Sequence, residues 1–524
     1  MQTLLGPVLQ FRGISNAVYN VSALIVLDKA DADPVATVVS GAKAGSVTAI
    51  ADIPLLAPRY RVWRAEFEIK QKLGKEITVE ITFGGARAIF VVPPEGQPPR
   101  MAYASCNGFS DPKLMEKVDK NNERWDDMAS AHKVNPYHVL LMGGDQVYSD
   151  EMRGRAPLMK EWFRLSFKER ADQVYTQAIE AELDEFYSWL YLDRWKQPEP
   201  KLMFASIPTI MMWDDHDIID GWGSYPENLH ASPVFQGLFA TAKRYFRIFQ
   251  QQLSQNSPHL APSVEQHPCA IPGVADGFHL GFSNLGGLAI MVPDLRSERH
   301  PDLTTPTVKN TQIVSQKSWD AIYNWLAGVK QHKHMLVMSS IPVGYLDLQA
   351  AEKALDLIPG QQELEDDLRD HWRSRPHRDE RLRLIMRLLD YASAPDGCKV
   401  TLVSGDVHVA GACVIESRLA AHRTDGAGMI YQLISTGIVH PSPPALAVYF
   451  LEALGASEEK IDYRLTGSML PIGSRGRYLI PARNWLAIEP DSEAGKYRLW
   501  ANWHVEGYDH LVTQVIDPRN DQSP

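Results

Sequence analysis

Two hydrophobic patterns run along this chain, and one gives way to the other near residue 100. Up to about residue 95, the segments VYNVSALIVL, RYRVWRAEFEI, EITVEITF and ARAIFVVP are rich in Val, Ile, Phe and Tyr. Several of them alternate apolar with polar positions, as strands with one buried face do. They predict a β-rich accessory domain over residues 1–97, closed by the proline-rich break PPEGQPPR. From Met101 onward the apolar runs are short and do not alternate: MAYASC, YHVLLMGGD, IPTIMMWDDHD, LAIMVPD, KHMLVMSS and CKVTLVSGD. Such runs are typical of strands covered on both faces by helices. Between them, amphipathic stretches predict helices at about 113–132, 158–195, 233–254, 315–331, 346–357 and 377–394. The last part of the chain returns to β material in YRLWANWHVEG and HLVTQVIDP. The predicted class is α/β, with a largely parallel or mixed sheet flanked by helices. That domain spans residues 98–524, with helical insertions and a C-terminal β segment.

Composition narrows the function without choosing it. The chain has 524 residues, 44% of them hydrophobic and 22% charged, which is ordinary for a globular protein with a large core. Its 64 acidic residues outnumber 53 Lys and Arg, a net charge of −11. That charge argues against general nucleic-acid binding, because a duplex is held by a basic surface that displaces counterions. No apolar run approaches the ~20 residues that span a bilayer. The start, MQTLLGPVLQFRGISN, does not read as a secretory signal. Four cysteines, Cys106, Cys269, Cys398 and Cys413, are too few for a disulfide framework. The expected location is the cytoplasm. None of these patterns specifies an oligomeric state.

The chemistry gathers where the apolar runs end, which in an α/β sheet is where loops converge around ligands. The clusters are Ser105-Cys106-Asn107, Gly143-Gly144-Asp145-Gln146-Val147-Tyr148, Trp213-Asp214-Asp215-His216-Asp217 and Ser404-Gly405-Asp406-Val407-His408, with a weaker one at Asp294-Leu295-Arg296. Three carboxylates at one strand end repel each other unless a cation balances them. Hydrolysis of a phosphate ester needs such cations, to neutralise phosphate oxygens and to supply hydroxide at neutral pH; two metals a few ångströms apart do both. Asp145, after a glycine that lets the backbone turn, is the candidate bridging carboxylate. Asp215 and Asp406 are candidate terminal ligands, and His408 offers an imidazole nitrogen. Cys106 and Tyr148 are anionic donors that suit trivalent iron, with calcium, magnesium or manganese on the other side. His216, oriented by Asp217, is positioned to protonate a leaving group. Taken singly these residues have bland readings: a lone cysteine is usually a small buried apolar group, and a Gly-Asp pair is usually a turn. Their joint occurrence at strand ends is what carries the metal reading.

In that order and context the motifs resemble the PhoD-like alkaline phosphatase and phosphodiesterase family, within the calcineurin-like metallophosphoesterases. SCN, GGDQVY, WDDHD and GDVH look like its successive motifs, and PDLR looks like its (L)DxR segment. The resemblance spans residues 101 to about 410. It implies a β-sandwich flanked by helices, with iron (Fe3+) and calcium (Ca2+, or Mg2+ or Mn2+) in the cleft. Cys106, Asp145, Tyr148 and His408 would then hold the iron, while Asp145, Asp215 and Asp406 would face the second metal. Arg296 and Asn107 are expected to bind substrate, a phosphate ester. Where many family members carry asparagines after DDH, this chain runs DHDIIDGWGSYPEN, with Asp220 and Gly221 there, so monoester and diester preference stay open. The alternative of another class is a non-catalytic metal-binding scaffold that recognises a partner through its cleft and helical insertions.

Overall fold

The computed structural model describes residues 3–39, 42–54, 60–254, 265–300, 312–346, 372, 377–422, 426–472, 476–491, 493 and 495–519. It is a mixed α/β protein with large sheets and many helices. The chain divides into two compact units: Met1–Met101 with Gly108–Ala270, and Ala102–Asn107 with Ile271–Pro524. The boundary expected near residue 97 does not fall there, because the N-terminal strands share a unit with residues 108–270.

The reason lies in a non-local pairing. In the first unit the strands run in the order Val139–Gly143, Thr209–Met212, Leu5–Ser15, Val18–Asp28, Tyr60–Lys70 and Ala42–Ile53. Leu5–Ser15 pairs in parallel with Thr209–Met212, with Gln10 opposite Thr209, and nine of its eleven residues are buried. An N-terminal strand so placed is an interior element of the sheet that carries WDDHD. The smaller sheet of Ala36–Val38, Ile77–Phe83 and Ala86–Val92 is all antiparallel.

Helices Gln177–Trp195 and Pro233–Tyr245 meet through stacked aromatics, Tyr191 and Tyr245 among them. Thr176 caps the first by accepting from the Ile179 N–H. The second runs into a π-helical turn, Phe246–Gln250, a deformation often found at functional sites. The N-terminal strands hold this turn and the residues after it. Gln10 Nε2 donates to the Gln250 carbonyl at 2.6 Å, Arg64 Nη1 to that of Gln252 at 2.6 Å, and Gln252 Nε2 returns to Val8 O at 2.8 Å.

In the second unit the order is Leu280–Leu285, Leu288–Val292, His334–Ser339, Lys399–Ser404, Met429–Ile434, Ala410–Ser417, Leu465–Leu470 and Glu458–Lys460. The strands from Leu288–Val292 to Met429–Ile434 are parallel, and their neighbours on either side are antiparallel. Helices Gln316–Gly328 and Arg378–Ser393 contribute Trp319, Ile322, Leu326, Leu384, Ile385 and Leu388 to the core under this sheet. C-terminal strands Asn484–Pro490, Leu499–Val505 and Val512–Ile516 form a sheet portion with Met101–Ala104 beside Asn484–Pro490. Trp503 Nε1 donates to Ile434 O at 2.9 Å, tying the two layers of this unit.

The predicted helices correspond to Pro112–Lys117 and Glu123–Val134; Pro157–Arg164, Phe167–Ala171 and Gln177–Trp195; Pro233–Tyr245; Gln316–Gly328; and Arg378–Ser393. The stretch expected at 346–357 lies, beyond its first residue, outside the described residues. Among the described residues no helix is long and apolar enough to cross a membrane.

One buried group shows how tightly the second unit is tied. Glu380, 5% exposed, accepts from the N–H groups of Ile313 and Val314 at 2.8 Å each and from Trp319 Nε1 at 2.6 Å. Glu380→Ala is expected to lower stability by about 3 kcal/mol or more in urea unfolding, since it leaves three buried donors unmatched.

Candidate active site

Strands Val139–Gly143 and Thr209–Met212 are parallel neighbours, with Met212 opposite Gly143. The loops that follow them therefore emerge side by side. Gly144 (φ 111°) and Asp145 (φ 54°) both take positive φ. For an aspartate this left-handed backbone is mildly strained and needs outside support. The Asp145 carboxylate, buried at 1% exposure, is thereby brought to those of Asp214 and Asp215, with an oxygen from each within 4.8 Å of the others. Asp215 Oδ2 accepts from Gly221 N at 2.8 Å. Asp215, His216 and Asp220 form a second, overlapping group on the same distance criterion.

The support comes from Asp217. Its Oδ2 accepts from Asp214 N at 2.9 Å and its Oδ1 from Gln146 N at 3.2 Å and Gln250 Nε2 at 2.8 Å. One carboxylate thus staples both loops, and the π-helical turn supplies the third donor. Burial pushes the Asp217 carboxyl up to about 7 despite these bonds. Asp217→Ala is expected to lose on the order of 3 kcal/mol in chemical unfolding, because it strands these donors in the interior.

His216 does not take its orientation from Asp217, as its sequence neighbour was expected to provide. Its Nδ1 lies 2.7 Å from Asp150 Oδ2, a carboxylate from the short turn Ser149–Glu151. Its ring lies against that of Tyr148, centroids 4.4 Å apart. Burial disfavours an imidazolium here, yet Asp150, Asp215 and Asp145 together outweigh it and hold the ring well above its ordinary range. Ser149 N donates to the His216 carbonyl at 2.9 Å, and Ser149 Oγ and Tyr187 OH both donate to Ile218 O. Tyr148 is fully buried. A side chain at Gly108 would overlap its ring, so glycine there is what lets the phenol sit where it does.

The second unit gathers the other predicted residues. Cys106 (φ 55°), Asp406 (φ 77°) and His408 (φ 51°) also have left-handed backbones. Thr436 joins two of them: its Oγ1 lies 3.2 Å from Cys106 Sγ and accepts from His408 N at 3.3 Å. The Cys106 carbonyl accepts from Val439 N at 3.3 Å and His440 N at 3.2 Å. The His440 ring stacks on His408, centroids 3.7 Å apart. Gly405 leaves room for Ser105 Oγ, which any Cβ would strike. Asn107 is 5% exposed and follows Cys106 directly. Arg296 is fully buried after strand Leu288–Val292, its N–H donating to Asp294 Oδ1 at 2.9 Å. Asp294 also accepts from Ser297 and Phe278 N–H groups, so it shapes the loop that presents Arg296.

Sequence reasoning missed Asp150, Gln250, Thr436 and His440, and gave Asp214 no role as a ligand. His440 and Thr436 follow strand Met429–Ile434, so the strand-end rule that found the others would have found them. Asp150 and Gln250 carry no such signal.

A family model described as PhoD related phosphatase matches residues 71–362 and 354–460. Over 457 residues the chain is 29% identical to YGR266W, an uncharacterized protein of Saccharomyces cerevisiae. That alignment takes in 73% of this chain and 63% of the yeast protein, less than two thirds of its length. A solved structure described as that of PhoD matches the fold with a TM-score of 0.55 at 12% identity, covering 95% of this chain and 86% of the other.

Proposed function

From the premise that this chain belongs to the PhoD-related phosphatase family, we propose that it is a metal-dependent hydrolase of phosphate esters. The observation that carries the reading is the group Asp145, Asp214 and Asp215, three buried carboxylates whose oxygens lie within 4.8 Å of one another. Like charges this close in the interior call for a cation, and hard oxygen donors suit calcium, magnesium or manganese.

In this reading Cys106, Asp145, Tyr148 and His408 would hold ferric iron, and Asp145, Asp215 and Asp406 would hold the second metal, calcium in the first instance. When bound, the pair would lower the pKa of water and neutralise charge on phosphate. The chain's own residues do the rest. Asp217 fixes both loops. Asp150 accepts at Nδ1 of His216, which leaves Nε2 to carry the proton for a leaving-group oxygen. Asn107 and Arg296 contact the substrate.

Turnover of p-nitrophenyl phosphate and of its bis ester, measured alongside elemental analysis, tests the proposal. Metal with turnover of either ester supports it, and the ratio of the two reports monoester against diester preference. Metal without turnover of any phosphoester sinks it and favours the binding scaffold instead.

The iron assignment has its own readout. Thiolate and phenolate donors on ferric iron give charge-transfer absorption in the visible, which calcium, magnesium and zinc cannot give. The purified protein is expected to be coloured. Tyr148→Phe is expected to weaken or shift the band, and Cys106→Ser to weaken it and lower iron content. A colourless, active, iron-free enzyme would reject these two ligands and leave the hydrolase standing.

A further inference from the structure

Beside the acidic group of the first unit lies a set of side chains that the reaction as described does not use. Arg153 Nη2 is 3.5 Å from Asp220 Oδ2, and the Arg153 side chain is half exposed. Its guanidinium carbon lies 5.4 Å from the Phe163 ring centroid. Arg170 lies 5.5 Å from that same centroid, 5.4 Å from the Phe167 ring and 5.2 Å from that of Trp162. Phe167 meets Tyr225 edge-on at 6.0 Å, and the Tyr225 hydroxyl returns to the Asp220 carbonyl at 2.7 Å. The series is continuous: Asp220, itself grouped with Asp215 and His216, then Arg153, Phe163, Arg170, Phe167 and Tyr225, which closes back on Asp220.

Two features of this rim point outward. Phe167 is 49% exposed, so part of a large aromatic ring faces water beside a guanidinium 5.4 Å from its centroid. Phe163 also holds two arginines, Arg153 at 5.4 Å and Arg170 at 5.5 Å from its centroid, and burial, with the Arg153 charge adding to it, lowers the pKa of Arg170. Like cations are held together most readily where an anion arrives between them. A flat ring beside a guanidinium is the surface on which nucleobases and other aromatic rings stack.

We infer that this rim selects phosphoesters whose alcohol carries a flat aromatic ring, which stacks on Phe167 while Arg153 meets an anionic oxygen. The inference rests on the phosphoesterase reading above for its location, and its test separates the two. Adenosine 5′-monophosphate and ribose 5-phosphate share a primary alkyl phosphate and differ in the base. The enzyme is expected to favour the first by about tenfold or more in kcat/KM, the usual scale of one stacked base. Phe167→Ala and Arg170→Ala are each expected to bring that ratio close to one, and Phe167→Trp to restore it, which a merely structural role would not do. Equal kcat/KM for the two esters, or a preference that survives both alanine substitutions, overturns the inference and leaves the hydrolase intact. If neither is hydrolysed, turnover of p-nitrophenyl phosphate or of its bis ester still keeps the phosphoesterase reading, and failure of all four sinks it. Equilibrium dialysis with adenosine against ribose then decides the rim alone: adenosine retention lost in Phe167→Ala supports it, and equal retention of the two overturns it.

Discussion

Asp145→Asn is expected to abolish hydrolysis and to lower bound metal together. Asparagine tolerates the left-handed backbone that Asp145 adopts (φ 54°), and it has nearly the same volume, so the loop itself should survive. What disappears is a negative charge in a group whose other members, Asp214 and Asp215, remain within 4.8 Å. An amide offers one neutral oxygen and cannot balance two cations. A fall in turnover of roughly 10³-fold or more is expected, in keeping with loss of electrostatic stabilisation in a water-poor site. Elemental analysis and a turnover assay on the same sample check both halves. A variant with full metal content and near-normal turnover would dismiss Asp145 as the bridge.

The second large effect belongs to His216. His216→Ala is expected to lower kcat by roughly 10²-fold or more, the ordinary scale of lost proton transfer, with metal content little changed. Asp150→Asn should produce a smaller fall in kcat with KM nearly constant, because Asp150 touches the imidazole and not the substrate. The amide at position 150 can still accept from Nδ1–H, but without the carboxylate's charge it no longer favours the doubly protonated ring that carries a proton at Nε2. Loss of metal in His216→Ala would reassign the histidine as a ligand.

Much of this was legible in the sequence, and the boundary of legibility has physical causes. The strands before each motif announce themselves through runs such as VLLMG and TIMM, every residue of which is buried. The order and spacing of the motifs carry the family. Three things were not legible. The parallel pairing of Gln10 with Thr209 joins residues about 200 positions apart and leaves no periodic trace, so PPEGQPPR read as a domain boundary. The partner of His216 is 66 residues away at Asp150, whereas Asp217, next to it in the chain, turns its carboxylate to Asp214 N and Gln146 N. Adjacency in sequence says little about which way two side chains point once a strand has ended. Finally, the turn that delivers Gln250 is π-helical, and an amphipathic pattern does not distinguish one wide turn from the helix before it.

The left-handed residues at Cys106, Asp145, Asp406 and His408 have a consequence for anyone evolving this protein in the laboratory. Each such position costs roughly 1 kcal/mol or more relative to a glycine that adopts the same backbone freely. Three of the four also carry polar side chains that are at least nine-tenths buried. A random library selected in chelator for heat resistance alone, with no demand for turnover, is therefore expected to accumulate Gly or Asn at Asp145 and Asp406 early. The fittest clones of that selection would be sturdier than the parent and catalytically dead, because heat tolerance and catalysis draw opposite residues to the same few backbone angles.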